Sequence, residues 1–207
     1  MAKYTGPVCK LCRREGAKLF LKGDRCYGKQ CAVEKRPVPP GQHGAGRKKA
    51  SAYSVQLREK QKAKRAYGLL EKQFKGYYFM AEKMRGVTGE NMLILIERRL
   101  DNVVYRMNIG SSRAQSRQIV THGHITVNGK KVDIASYLVK AGDKIAVKEN
   151  KREKPFFVEL KGAKIANLPK WLTFDAVSLQ GEVVNLPTRA DVDLTIAEHM
   201  IIEFYSK

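Results

Sequence analysis

The sequence contains no uninterrupted apolar run of eighteen residues, which excludes a membrane-spanning helix. It also lacks a secretory hydrophobic segment and any lipidation signal, so the chain reads as soluble and cytosolic. Acidic residues are scarce, 20 against 40 Lys and Arg, leaving a formal charge of +20. Aromatic residues make up 8% and there is one Trp, too few for an extended base-stacking platform. The four histidines, His43, His122, His124 and His199, show neither metal-ligand nor triad spacing, which argues against an enzyme. What remains is a chain of 207 residues, 43% hydrophobic, long enough for one large domain or two ordinary ones with a core.

A charge of this size is a statement about partners, and a polyanion is the economical one. Its distribution is uneven: residues 1–50 carry a net +10, 51–90 +5, 91–161 +7, and 162–207 −2. Nucleic acid is therefore expected along the first three quarters. The last quarter is expected to close the core or to touch another protein.

All four cysteines fall within the first 31 residues: Cys9 and Cys12 form C-x-x-C, and Cys26 and Cys31 follow thirteen residues later as C-x-x-x-x-C. Two close pairs that converge on one point suit a tetrahedral structural zinc ion, and four thiolates leave no open position for catalysis. Two disulfides would also use four cysteines, but they belong to oxidising compartments. An iron–sulfur cluster is the other alternative, although common ferredoxin spacings differ. Lys10, Arg13, Arg14, Lys29 and Lys35 surround the cysteines and should depress the thiol pKa values. With Lys22 and Arg25, the first four of these are candidate phosphate contacts.

The stretch Arg36-Pro37-Val38-Pro39-Pro40-Gly41-Gln42-His43-Gly44-Ala45-Gly46-Arg47-Lys48-Lys49 is too rich in proline and glycine for a helix or central strand. It reads either as a flexible linker or as a loop ordered against RNA, with Arg36, Gln42, His43, Arg47, Lys48 and Lys49 as contacts. From Ser51 to Met84 the pattern is helical, and Tyr67, Leu70, Phe74, Tyr77, Ala81 and Met84 form one apolar stripe. Upstream, Arg58, Lys60, Lys62, Lys64 and Arg65 crowd two turns with only Glu59 opposing them. Such a face meets either phosphate or solvent; Arg58, Lys62 and Arg65 are the candidates.

Gly86 and Gly89 mark a break before a second helical run, Asn91 to Met107, with Met92, Ile96, Leu100, Val103 and Met107 as its stripe and Arg99 and Arg106 among its charges. Ser112-Arg113-Ala114-Gln115 has the form of a capping box opening another helix. Arg113 and Arg117 lie four residues apart on it and should share a phosphate-gripping face, with Gln118 beside them. His122-Gly123 should close that helix. Alternating Ile125 and Val127, then Asn128-Gly129, then Val132 and Ile134 read as a hairpin with a type I′ turn. His122, His124, Asn128 and Lys130 complete the RNA-contact candidates.

Arg99-Leu100-Asp101-Asn102-Val103-Val104, Ser112-Arg113 through Gln118, His122-Gly123-His124 and Val127-Asn128-Gly129 resemble the RNA-binding domain named after ribosomal small-subunit protein four. That domain also occurs in pseudouridine synthases and tyrosyl-tRNA synthetases. The stretch Tyr53 to Lys62, together with Arg13-Arg14-Glu15-Gly16, Pro40-Gly41-Gln42-His43-Gly44 and Glu203-Phe204-Tyr205-Ser206-Lys207, is similar to the bacterial ribosomal family itself, over essentially the whole length. The resemblance implies a primary ribosomal RNA-binding protein that organises a multi-helix junction, nucleates assembly of the small-subunit body and affects translational accuracy. It also implies one copy per cytoplasmic ribosome, ribosomal small-subunit protein five as neighbour and, in some members, contact with messenger RNA. Many members lack the cysteines, so zinc rests on the spacing alone.

The expected fold is α+β. It comprises a zinc module and basic loop (1–50), a helical domain (51–97), an inserted RNA-binding domain of helices and a small curled sheet (98–161), and a C-terminal segment (162–207) packed back on the helical domain. Two rivals fare worse. An RNA-modifying enzyme with the same appended domain needs a further catalytic domain, for which under fifty residues remain. A zinc-finger DNA regulator needs a recognition helix tied to the cysteines and a dimer interface, and neither is evident.

Overall fold

The computed structural model describes residues 3–46, 49–162 and 167–206. In chain order its helices are α1 (Val8–Glu15), α2 (Ala32–Lys35), α3 (Ala52–Ala66), α4 (Glu71–Glu82), α5 (Thr88–Glu97), α6 (Leu100–Arg106), α7 (Arg113–Thr121), α8 (Pro155–Lys161) and α9 (Glu198–Tyr205). The strands are β1 (Ile125–Val127), β2 (Lys130–Lys131), β3 (Lys144–Val147), β4 (Leu172–Asp175) and β5 (Gln180–Val183). The chain forms two compact units, Met1–Met92 with Leu194–Lys207, and Leu93–Asp193, so the second interrupts the first in sequence.

In the first unit the helical run expected from Ser51 to Met84 is cut in two. Gly68 adopts φ +65°, where its missing Cβ removes the steric cost. Its N–H bonds to the Arg65 carbonyl and that of Leu69 to the Lys64 carbonyl, which terminates α3. Tyr67, Phe74, Tyr77 and Ala81 are buried as expected, while Met84 is exposed. Helix α9 packs against α3. Gln56 donates to Glu203 at 2.8 Å, the Tyr205 hydroxyl donates to Glu71 at 2.8 Å, and the Tyr205 ring lies 5.0 Å from that of Tyr78.

The run expected from Asn91 to Met107, which lies in the second unit from Leu93 onward, is likewise two helices, although all five stripe residues are buried. Arg99 is extended, because Leu100 N–H bonds to the Tyr137 carbonyl at 2.8 Å and Asp101 N–H to that of Ala135 at 3.2 Å. These long-range partners replace the helical ones. The antiparallel sheet has the order β2-β1-β3-β5-β4, so 172–183 contributes two of its five strands. The expected boundary at 161/162 therefore fails: 167–193 complete the second unit's sheet, and only the last residues return to the first. Trp171, Leu172, Leu179 and Val183 are buried with Val103, Ile125, Ile145 and Val147 in one core. Asn128 (φ 50°) and Gly129 (φ 78°) form the type I′ turn, with Val127 paired to Lys130.

Candidate nucleic-acid interface and cysteine site

Cys9 and Cys12 sit one turn apart on α1 rather than in a loop, so both point to one side of the helix. Gly16 ends α1 in the left-handed conformation and turns the chain back toward Cys26, which closes a 3₁₀ turn, and Cys31, which caps α2. The four cysteines, free of disulfides, line one space of about 20 Å³ with Lys22, Arg25, Ala32 and Val33. The Lys22 backbone N–H lies 3.3 Å from Cys26 Sγ. Among the described residues no group of three or more His, Cys, Asp or Glu side chains is arranged to hold a metal ion, so what the fold supplies is the shared space. The expected depression of the thiols is not found at Cys12. Burial raises its pKa, the Leu19 backbone lowers it, and the other three cysteines raise it further. Two of the surrounding cations are engaged elsewhere: Arg13 donates to the Val38 carbonyl at 2.9 Å, and Lys35 bonds to Gln30.

Around this site Lys10, Arg14, Lys22, Arg25 and Lys29 are exposed, as are Arg36, Gln42, His43 and Lys49 of the following loop. Arg47 and Lys48 lie outside the described residues. The basic turns of α3 are more engaged than their sequence suggests, because carboxylates distant in the chain meet them. Arg58, at 3.2 Å, and Arg65 both pair with Glu15, whose side chain is 1% exposed. Burial pushes the Glu15 carboxyl up against the pull of the two guanidiniums. Lys60 and Lys64 hold Glu71 at 2.6 and 2.9 Å, and Lys62 pairs with Glu59 at 3.4 Å. A face read as free for phosphate is thus largely occupied by the protein's own acids.

Three arginines expected to contact RNA are interior. Arg99 makes a two-point pair with Asp101 (3.0 and 2.6 Å), and Arg117 lies 3.8 Å from the same carboxylate. Arg106 grips Glu97 at 2.7 and 3.1 Å and also meets Asp193. Burying a cation is costly unless it is paired, and these pairings are why the helices tolerate them inside. Arg113 is half-buried, donates to Asn102 at 2.8 Å and lies over the Tyr105 ring at 4.5 Å. Of the pair expected to grip phosphate together, Arg117 is buried and Arg113 half-buried, and both are engaged within the protein.

Helix α7 begins on half of the expected capping box: Ser112 Oγ accepts from Gln115 N–H at 3.3 Å, while the Gln115 side chain accepts from Ser111 instead. At its far end Gln118 and His122 are exposed, near half-buried His124. Burial, then Lys154, His122 and Lys151, lower the His124 pKa below its ordinary value. Lys130 is exposed on the hairpin. Asn128 is committed to the turn, donating to Asp143 at 2.9 Å and accepting from Lys144 N–H at 2.9 Å. Lys144, Lys148 and Arg152, absent from the sequence candidates, lie with Lys131 along an open groove on the sheet. The period-two spacing Lys144-x-Ala146-x-Lys148 is the signal that could have found them.

Helices that present a small antiparallel sheet, with Gln118, His122 and Lys130 exposed at the α7–β1 corner and hairpin, form a small mixed domain with a polar and basic rim of the kind that meets nucleic acid. The profile described as "S4 domain" matches residues 98–145, and that described as "Ribosomal protein S4/S9 N-terminal domain" matches residues 3–97. The chain is 61% identical to "Small ribosomal subunit protein uS4" of Caldicellulosiruptor saccharolyticus, covering 100% of both chains. It is 61% identical to "Small ribosomal subunit protein uS4A" of Alkaliphilus oremlandii and 59% identical to "Small ribosomal subunit protein uS4" of Clostridioides difficile, again over 100% of each. The chain belongs to the small ribosomal subunit protein uS4 family.

Proposed function

We propose that this chain is a structural constituent of the small ribosomal subunit, held to ribosomal RNA through phosphate and groove contacts. The observation that carries this is full-length coverage. An appended domain of this type occurs in several kinds of protein, but the similarity to small-subunit relatives here runs from end to end. In this reading it organises an RNA junction early in assembly of the subunit body, works in the cytoplasm, and contributes to decoding accuracy beside ribosomal small-subunit protein five. Messenger RNA passing nearby is a further partner. Exposed cations on both units, among them Lys10, Arg14, Lys29 and Lys49 on one and Lys130 on the other, support it. RNA recovered after crosslinking in cells should be small-subunit ribosomal RNA, and recovery of another RNA class alone would overturn the assignment.

The same reading assigns Cys9, Cys12, Cys26 and Cys31 to one structural zinc ion. The all-thiolate donor set suits zinc, and a shared space of about 20 Å³ suits a single ion. When bound, zinc would link α1, the 3₁₀ turn and the start of α2, a segment too small to fold unaided.

A further inference from the structure

The outward face of the five-stranded sheet carries a basic groove whose cations, Lys131, Lys144, Lys148 and Arg152, belong to none of the sequence motifs. Its placement follows from register. Ile125, Val127, Ile145 and Val147 point into the core, so alternation turns Thr126, Lys144, Ala146 and Lys148 outward. Thr126 pairs with Lys131 on one side and with Ala146 on the other, and Ala146 pairs with Gln180, so these four share one row across the sheet. Lysines stand two residues to either side of Ala146, Lys144 on β3 and Lys148 just past its end, and Arg152 also lines the groove.

The result is an open groove of about 760 Å³ whose lining includes the small residues Thr126, Gly129 and Ala146. Four cations line it, Lys131, Lys144, Lys148 and Arg152, against one carboxylate, Glu149. Lys131 has an exposed partner in Asp133 at 3.4 Å; Glu182 stands opposite Lys144 on β5, but among the described residues neither Lys144 nor Lys148 forms a salt bridge. No aromatic side chain lies in the groove, so bases have nothing to stack on. Small lining residues let a backbone approach closely, and dispersed cations suit phosphates held apart by ribose.

We propose that this sheet face is an RNA site of its own, a cradle for the sugar–phosphate backbone that reads shape and charge rather than bases. It rests on the ribosomal RNA reading above and adds a second surface to the α7–β1 corner. Charge complementarity selects the occupant.

The test uses the full-length chain and small-subunit ribosomal RNA across a series of potassium concentrations. Lys144→Gln with Lys148→Gln should lower affinity about tenfold or more and make the salt slope shallower by about 1.4 to 1.8, for two lost phosphate contacts. Lys140→Gln with Lys170→Gln, an equal loss of charge outside the groove, should have a smaller effect. Ala146→Trp removes no charge but fills the groove, and should weaken binding without altering the slope as much. Equal effects of the two lysine pairs, or wild-type binding by both groove variants, would overturn the cradle while leaving the RNA assignment intact. Failure of the wild-type chain to bind ribosomal RNA would instead remove the reading beneath it. Unchanged RNA binding with loss of an acidic protein partner would also overturn the cradle.

Discussion

Arg99 and Asp101 face each other inside the second unit, joined by Nε to Oδ1 at 3.0 Å and Nη2 to Oδ2 at 2.6 Å, with side chains 1% and 7% exposed. Two parallel charge-assisted bonds fix the guanidinium in the plane of the carboxylate. The pair sits where α5 gives way to α6, so it staples the corner it occupies. Arg99→Ala should destabilise the protein by about 3–5 kcal/mol, because Asp101 is left as a buried charge with a poorer partner. Urea unfolding measures this; a loss below 1 kcal/mol would show that water replaces the arginine.

Arg117 and His122 separate structure from binding on one helix. Arg117 is 8% exposed and near Asp101, so Arg117→Ala should lower the unfolding midpoint. His122 is exposed at the helix end, so His122→Ala should leave stability within about 0.5 kcal/mol and weaken RNA binding. Thermal unfolding and filter binding on both variants check the assignment, and the reverse pattern would refute it.

Glu71 makes α4 sensitive to acid. Burial raises its carboxyl pKa, but hydrogen bonds from Lys60, Lys64 and Tyr205 outweigh burial and hold it down at about 2. A depressed carboxyl contributes stability that is complete above its ordinary value of 4.5 and lost as pH falls through the folded value. Wild type should therefore exceed Glu71→Gln in stability at pH 6, with the gap closing between roughly pH 4.5 and 2. A gap constant over that window would mean that the carboxylate is not what the lysines hold.

Zinc should be present at one ion per chain in protein purified under reducing conditions, as elemental analysis would show. Its removal should expose the amides of α1 and α2 to hydrogen exchange and spare those of β1 and β3, which belong to the other unit. Cys12→Ser should abolish retention of the ion.

Binding to ribosomal RNA should be steeply salt-dependent, with a logarithmic slope of roughly −4 to −5 for six phosphate contacts. A slope near −1 would contradict a scaffold that tracks phosphates. Truncation after residue 161, which removes no net positive charge, should abolish cooperative folding. It removes β4 and β5 and takes Trp171, Leu172, Leu179 and Val183 out of the core. Circular dichroism melts of the truncated chain would show this directly.

Much of the local architecture was legible in the residues. The apolar periods identified the buried faces of α4, α5 and α6, Ser112 marked the start of α7, and Asn128-Gly129 named its turn type, because each depends on residues a few positions apart. Gly68 carried a stop signal that the continuous stripe obscured. Family membership was legible too, in motifs spread from Arg13 to the C-terminus.

The sequence by itself determined the helical and strand periods, the close spacing of the cysteines and an excess of positive charge too large for the chain's own acids to neutralise. Only the tertiary structure decided which cations remain available. Glu15 reaches Arg58 and Arg65 from more than forty residues away, Glu71 takes Lys60 and Lys64, and Glu97 takes Arg106. Tertiary contact also decided that Arg98-Arg99 is a break, through carbonyls at 135–139, and that two late strands complete the sheet. The physical reason is the same in each case. A charge's fate depends on whether folding removes it from water beside a partner, and that partner lies at a distance in sequence that no local period encodes.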